Sequence, residues 1–250
     1  MARDTTGGLR WHLRAFVRRR RWHLTSDLIA DWLATIEPWH DELLLIGGSA
    51  GWMMSGRWLQ RFRRVVLVDV DPYAGPLFRF NHGRALRQSG TRFEAVQIDA
   101  MQSLEALLAD YPQASVFFDN VLGQHLYRVR DIERAERDLG RIAERLSGRE
   151  WGSVHDLFSG PVAAGRAPAQ PVMSFPAMNS AQGAIVDGLS GTPLHKRLLA
   201  QVGGCGEWMD HLTSEVFPVG TQTRLIAWPF LPAYAHWLQA GWVRESARAG

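Results

Sequence analysis

A cluster of small residues, Gly47-Gly48-Ser49-Ala50-Gly51, follows the apolar segment Leu43–Ile46. A second apolar run, Val65–Val68, ends in Asp69. Glycines directly after a buried strand let the chain turn sharply and let its backbone approach a ligand closely, and the next helix presents N-terminal N–H groups. The acid lies 69 − 47 = 22 residues past the first glycine, near the ~20-residue spacing at which a second-strand carboxylate meets a ribose hydroxyl. The chemistry expected is the binding of a nucleotide-type cofactor. Other polar groups stand where later strands should end: Asp99 with Ala100, then Asp119-Asn120 followed by Gln124, His125 and Tyr127, then His155-Asp156. That edge of an open α/β sheet is where ligands bind. His125, His155, Asp156 and His211 carry side chains able to take a proton from a nucleophile. Each has a structural alternative: Asp69 or Asp71 as a turn cap, Asp99 as a helix N-cap, each histidine as a buried hydrogen-bonding group.

These groups need a scaffold that brings strand ends together. Leu43–Ile46, Val65–Asp69, Phe93–Asp99, Ser115–Phe118 and Gly152–Phe158 read as strands separated by helical segments. The clearest helix has Ile132, Ala135, Leu139, Ile142 and Leu146 stepping by helical intervals. Strand–helix alternation predicts an α/β fold with a doubly wound, mostly parallel seven-stranded sheet. The last two strands, His211–Phe217 and Thr221–Trp228, are expected to form a C-terminal antiparallel hairpin around Pro218-Val219-Gly220. Before the first strand, residues 1–40 read as a helical cap of two helices, the second starting at Thr25-Ser26-Asp27. Residues 41–230 are the cofactor-binding domain, with 159–190 as a lid-like insertion rich in Gly, Pro, Ala, Ser and Gln. Residues 231–250 are expected to be a C-terminal extension.

The glycine loop, the acids after the second and third strands, and the terminal hairpin resemble the class I S-adenosylmethionine-dependent methyltransferases, over roughly Glu42 to Trp228. The resemblance implies S-adenosyl-L-methionine as cofactor. Gly47, Gly48, Ser49 and Gly51 would wrap its methionine part, Asp69 its ribose, and Asp99 with Ala100 its adenine. Asp119 or Asn120 would face the amino-acid portion. Two positions depart from the family pattern: Leu45 stands where an acid is usual, and Ser49 where a middle glycine is commoner. Leu-Ile-Gly-Gly and Val-Asp-Val-Asp-Pro also resemble the aminopropyltransferases of the spermidine synthase type. There Ala50 stands in place of an expected loop aspartate. The function expected is methyl transfer to a small-molecule acceptor, with His125, His155 and Asp156 as catalytic candidates and Tyr127 and His211 as substrate contacts. Aminopropyl transfer, or a non-catalytic binding role on the same fold, are the alternatives.

Bulk properties narrow the partners. A formal charge of +3 over 250 residues gives no global pull toward nucleic acid, although Arg10, Arg14 and Arg18–Arg21 crowd the start. Cys205 is the single cysteine, so no disulfide framework is expected and a reducing, cytoplasmic setting fits. The histidines lack the paired helical spacing of a metal site, so none is expected. No apolar run reaches the ~18 residues of a membrane span, and no membrane partner is expected. The tryptophans near the C-terminus, Trp228, Trp237 and Trp242, together with the basic first helix, are the surfaces expected to support a homodimer.

Overall fold

The computed structural model describes residues 8–163, 168, 171–176 and 192–244. The chain divides into two compact units, one running to Asp119 with Arg149–Trp151, the other holding Asn120–Gly148 and the chain from Gly152 onward.

The first unit contains α1 (Gly8–Ala34), β1 (Glu42–Ile46), α2 (Gly56–Leu59), β2 (Arg64–Asp69), α3 (Ala74–Ser89), β3 (Arg92–Gln97), α4 (Leu104–Asp110) and β4 (Ser115–Asp119). Its strands lie in the order β3-β2-β1-β4, all parallel. Leu43–Ile46 and Val65–Val68 are completely buried, as a parallel strand covered on both faces requires. Trp58 packs on Phe62 and Phe117 with ring centroids 5.0 and 5.4 Å apart, closing the core beneath β1. Because β2 follows β1 on one side and β4 lies on the other, the strand order reverses at β1. The carboxyl ends of β1 and β4 therefore flank the topological switch point, the usual ligand crevice of such sheets.

One continuous helix replaces the two expected before β1. Ser26 Oγ donates to the Trp22 carbonyl at 3.1 Å, one turn back, so the hydroxyl expected to start a new helix instead bonds within α1. Thr25 is completely buried, and the flanking Trp22 and Ile29 continue the buried face across that point.

The second unit contains α5 (His125–Val129), α6 (Ile132–Gly140), α7 (Ile142–Arg145), β5 (Trp151–Pro161, all but its first residue), β6 (Val172–Pro176), α8 (Pro193–Val202), β7 (Met209–Asp210), β8 (Gln222–Leu231) and β9 (Tyr234–Val243). Its strand order is β5-β9-β8-β6, with β7 beside β5. β6–β8, β8–β9 and β5–β7 are antiparallel. Leu157, Phe158, Leu198 and Trp237 centre its core.

Three expectations change here. The hairpin is β8–β9, closed at Leu231↔Tyr234, so Tyr234–Val243 is sheet and not an extension. His211–Phe217 is not a strand; Pro218 and Gly220 form the turn that leads into β8, with Thr221 N–H donating to the Pro218 carbonyl. β6 and β7 bring the strands among the described residues to nine where seven were expected. β6 and the end of β5 fall inside the stretch read as a lid, and much of the remainder of that stretch lies outside the described residues. β9 escapes a sequence reading because it is buried along nearly its whole length while carrying His236 and Gln239, so neither alternation nor an apolar run marks it.

Candidate functional site

In the first unit the chain leaves β1 through a turn with three left-handed residues: Gly47 (φ 72°), Ser49 (φ 49°) and Gly51 (φ 70°). Ser49 is the uncommon one, since a side chain disfavours that region. Its backbone N–H donates to Asp69 Oδ2 at 2.9 Å, and Asp69 Oδ1 accepts the Asp71 N–H at 2.9 Å. The acid ending β2 thus fastens the glycine turn. Each of its oxygens keeps a second lone pair for a further donor. Burial raises the Asp69 pKa, opposed by those two N–H groups.

The glycines have separate reasons. A Cβ on Gly48 would meet the Leu45 and Leu67 side chains at 2.8 Å, and one on Gly51 would collide with the His82 ring. His82 Nε2 bonds the Gly51 carbonyl at 2.9 Å, and Asn81 Nδ2 donates to the Ala50 carbonyl at 2.7 Å. α3 therefore holds the outer side of the turn through two residues that sequence reasoning passed over. Among the described residues, the buried Ser49 Oγ has no hydrogen-bond partner.

Asp119 ends β4 at the switch point. Burial together with the Asp69 charge pushes its pKa up to about 7. Asp71 faces elsewhere: Oδ2 accepts the Gly8 N–H and pairs with His12 Nε2 at 3.1 Å, and Oδ1 makes an Asx-turn to Tyr73 N–H at 2.9 Å. It anchors α1. Asp99 Oδ1 accepts the Met101 and Gln102 N–H groups at 3.1 and 3.3 Å, closing a turn ahead of α4, whose N-cap is Ser103 and not Asp99. Ala100 beside it is buried.

In the second unit the expected site residues fall into two groups. Asp156, completely buried, is the hub of one. Its Oδ2 accepts from Asn120 Nδ2 at 2.9 Å and Gln124 Nε2 at 2.7 Å, and its Oδ1 from His236 Nδ1 at 2.7 Å. Burial works against the charge, yet His236 and these amides hold the carboxyl well below the usual carboxylate range. Asn120, in a left-handed conformation (φ 57°), also accepts the Asp156 N–H at 2.8 Å, so both ends of its amide serve Asp156. An ionised carboxylate only accepts, so His236 Nδ1 must carry a proton. Among the described residues, the buried Nε2 has no hydrogen-bond partner. The Trp228, Phe230 and Tyr234 rings surround this imidazole at 5.0, 5.0 and 5.5 Å.

His211 joins the same cluster. Its Nδ1 bonds the Gly123 carbonyl at 2.7 Å, and its Nε2 accepts from Ser159 Oγ at 2.8 Å. Burial lowers its pKa, keeping it neutral. Ser159 also lies 3.1 Å from the Tyr234 hydroxyl. Tyr127 stands against His211 with ring centroids 5.8 Å apart, and its hydroxyl donates to Met209 Sδ at 2.8 Å. Burial pushes that hydroxyl up to about 12, so it stays protonated.

The other group is dispersed. His155 sits on the opposite face of β5 from Asp156, with Nδ1 on Ser153 Oγ at 2.8 Å and Nε2 on Gln239 Oε1 at 3.3 Å. Complete burial lowers its pKa to about 4. With both nitrogens engaged it fits a structural role. His125 Nε2 pairs with Asp138 at 2.9 Å, a contact that ties α5 to α6. His236, by contrast, was missed, because it lies on the strand that escaped the sequence reading.

Asp156, His211 and His236 each bring one ligating atom to within 4.8 Å of the others. Asn120, Gln124, Ser159 and the Gly123 carbonyl already bond the Asp156 and His211 atoms.

No family model matches the chain, and no curated protein matches it by sequence. The solved structures it is similar to include methyltransferases. An O-methyltransferase family protein from Burkholderia thailandensis is 14% identical at TM-score 0.44, covering 94% of this chain and 59% of its own. A putative O-methyltransferase from Nostoc punctiforme is 16% identical at TM-score 0.45, covering 92% and 58%. The chain thus spans less than two thirds of the length of these O-methyltransferases. Magnesium protoporphyrin IX methyltransferase from Synechocystis, solved with bound SAH, is 14% identical at TM-score 0.45, covering 98% and 90%. Likeness at this level carries no residue role across.

Proposed function

We propose that the chain is an S-adenosylmethionine-dependent methyltransferase acting on a small-molecule acceptor. The observation that carries this reading is the Gly47–Gly51 turn at the switch point, fastened to Asp69 and holding a buried, unpartnered Ser49 Oγ. These residues fit a nucleoside bearing a positive charge. Asp69 has lone pairs left for a ribose diol, Ser49 Oγ lacks a partner, and Asp119 is a carboxyl that a nearby cation would ionise. Asp99 and Ala100 are the candidates for the adenine. When bound, the cofactor supplies an electrophilic methyl group on a sulfonium.

The residues of this chain then bind and orient, since an in-line displacement needs mainly proximity and alignment. Within the second unit, His236 is the side chain suited to accept a proton: in the neutral imidazole Asp156 keeps the proton on Nδ1, and it would stabilise the imidazolium that forms. This assignment replaces His125 and His155 as proton acceptors and retains Asp156 as the orienting group. His211 and Tyr127 support the cluster.

Calorimetry with S-adenosylmethionine on wild type and Asp69→Ala tests the reading. Heat with the wild type and none with the variant is the expected result. No heat with either leaves a cofactor-free binding protein. Tighter binding of decarboxylated S-adenosylmethionine than of the parent points instead to aminopropyl transfer. For the proton acceptor, His236→Gln should lower kcat far more than it raises KM and should flatten the pH–rate profile. Recovery of activity on adding a divalent metal to wild type, and not to His236→Gln, would assign the cluster to an ion.

A further inference from the structure

The first half of α1 has two apolar faces, and the described residues cover only one of them. At ~100° per residue, His12, Ala15, Trp22 and Ile29 share the buried side of the helix. Leu9, Leu13, Phe16, Val17 and Leu24 fall within a separate ~100° arc, with exposures of 60, 65, 50, 69 and 45%. Scattered exposed apolar side chains are ordinary, but five in one stripe on one helix are not.

The charge beside the stripe identifies what covers it. Arg10, Arg14, Arg18 and Arg21 occupy the adjoining arc, Arg20 lies within the stripe, and Arg19 stands over the Phe16 ring at 4.6 Å. No acid occurs between Gly8 and Leu24. A second copy of this chain would set these arginines against each other across a twofold contact, leaving like charges opposed. A nucleic acid would meet the arginines but leave the apolar stripe in water. An anionic bilayer surface matches both: the apolar stripe enters the boundary between headgroups and acyl chains while arginines meet the phosphates. No helix among the described residues is long and apolar enough to cross a membrane, and a helix lying in the interface needs no such span.

We propose that residues 9–24 of α1 dock the protein on an anionic lipid surface, with Leu9, Leu13, Phe16, Val17 and Leu24 inserted and the arginines on the headgroups. The proposal stands independently of the methyltransferase reading.

Sedimentation of the full chain with vesicles tests it. Phosphatidylcholine vesicles containing phosphatidylserine should pellet the protein, vesicles of phosphatidylcholine alone should not, and added salt should release it. Arg10→Ser with Arg18→Ser should weaken binding about thirtyfold, at roughly one surface charge's worth of attraction per arginine. Leu13→Glu with Val17→Glu should abolish it. Arg10, Leu13 and Val17 are exposed and Arg18 half-buried, so both variants should keep the wild-type melting curve. No pelleting with either vesicle overturns the proposal. So does a light-scattering mass of two chains that the glutamate variant reduces to one, since a second copy then covers the stripe. Binding of duplex DNA that outcompetes the vesicles and survives the glutamate variant overturns it in favour of a nucleic acid.

Discussion

The glycine turn of the first unit and the Asp156 cluster of the second solve opposite problems. The turn is short in sequence and leaves chemistry unspent: a buried hydroxyl without a partner at Ser49 and a carboxyl at Asp119 that gives up its proton only near neutrality. The cluster gathers residues from four distant segments, 120–127, 156–159, 211–213 and 234–236, and satisfies almost all of them. Even the Asp156 carbonyl is occupied, by Thr213 Oγ1 at 2.7 Å. Among the described residues, His236 Nε2 has no partner in this network. A buried polar network is tolerable when nearly complete and costly when half satisfied. The contrast is between a short, locally fastened turn and a rigid mount assembled from distant segments.

Removing the hub should break the comparison most severely. Asp156→Ala strands the Asn120, Gln124 and His236 donors in the interior and should cost ~3–5 kcal/mol, read from urea denaturation. Asp156→Asn should cost less and still lower activity through the tautomer of His236. An intact stability with either variant would mean the mount is not rigid.

The glycine turn should respond next. Gly51→Ala forces a side chain into φ 70° and against His82, so a loss of ~2–3 kcal/mol is expected. Gly51→Ala with His82→Ala relieves the collision but not the backbone strain. A double-mutant cycle should therefore recover only part of the loss.

A third experiment separates the two regions by pH. Asp119 binds more protons folded than unfolded between its ordinary value and about 7, so its contribution is present at low pH and lost as pH rises through about 7. His155 runs the other way. Its folded value of about 4 lies below the ordinary histidine value, so its contribution is present above ~6.5 and lost as pH falls toward 4. The two windows overlap between about pH 4 and 7, so Asp119→Asn should remove the fall there and leave the rise that His155 contributes. If S-adenosylmethionine binds beside Asp119, its binding near pH 6 should release a proton in the wild type and none in this variant.

Ser49→Ala should produce the smallest effect on stability and the sharpest contrast with Asp156→Ala. An unpartnered hydroxyl is removed, so stability should change by under ~1 kcal/mol, in the favourable direction. Cofactor affinity should fall severalfold by calorimetry. A large destabilisation would show that Ser49 Oγ does bond within the protein.

Legibility followed the distance between the residues involved. β1, β2 and β4, the glycine turn and Asp69 stood in contiguous stretches, where an apolar run followed by Gly or Asp has one dominant local meaning. The roles of Asp71 and Asp99 were legible only as alternatives, because an acid beside a turn caps it as readily as it meets a ligand. The α1 boundary failed because Ser26 can bond backward within a helix as easily as it can start one. β9 failed because a strand buried along nearly its whole length, yet holding histidine and glutamine, matches neither pattern.

By itself, then, the sequence determined the buried parallel strands, the turn after β1 and the acid that fastens it, since these follow from side-chain volume, backbone freedom and local spacing. Only the tertiary structure decided which histidine is bonded to the buried Asp156 carboxylate. That property depends on pairing across the sheet, and His236 lies 80 residues from Asp156 in the chain.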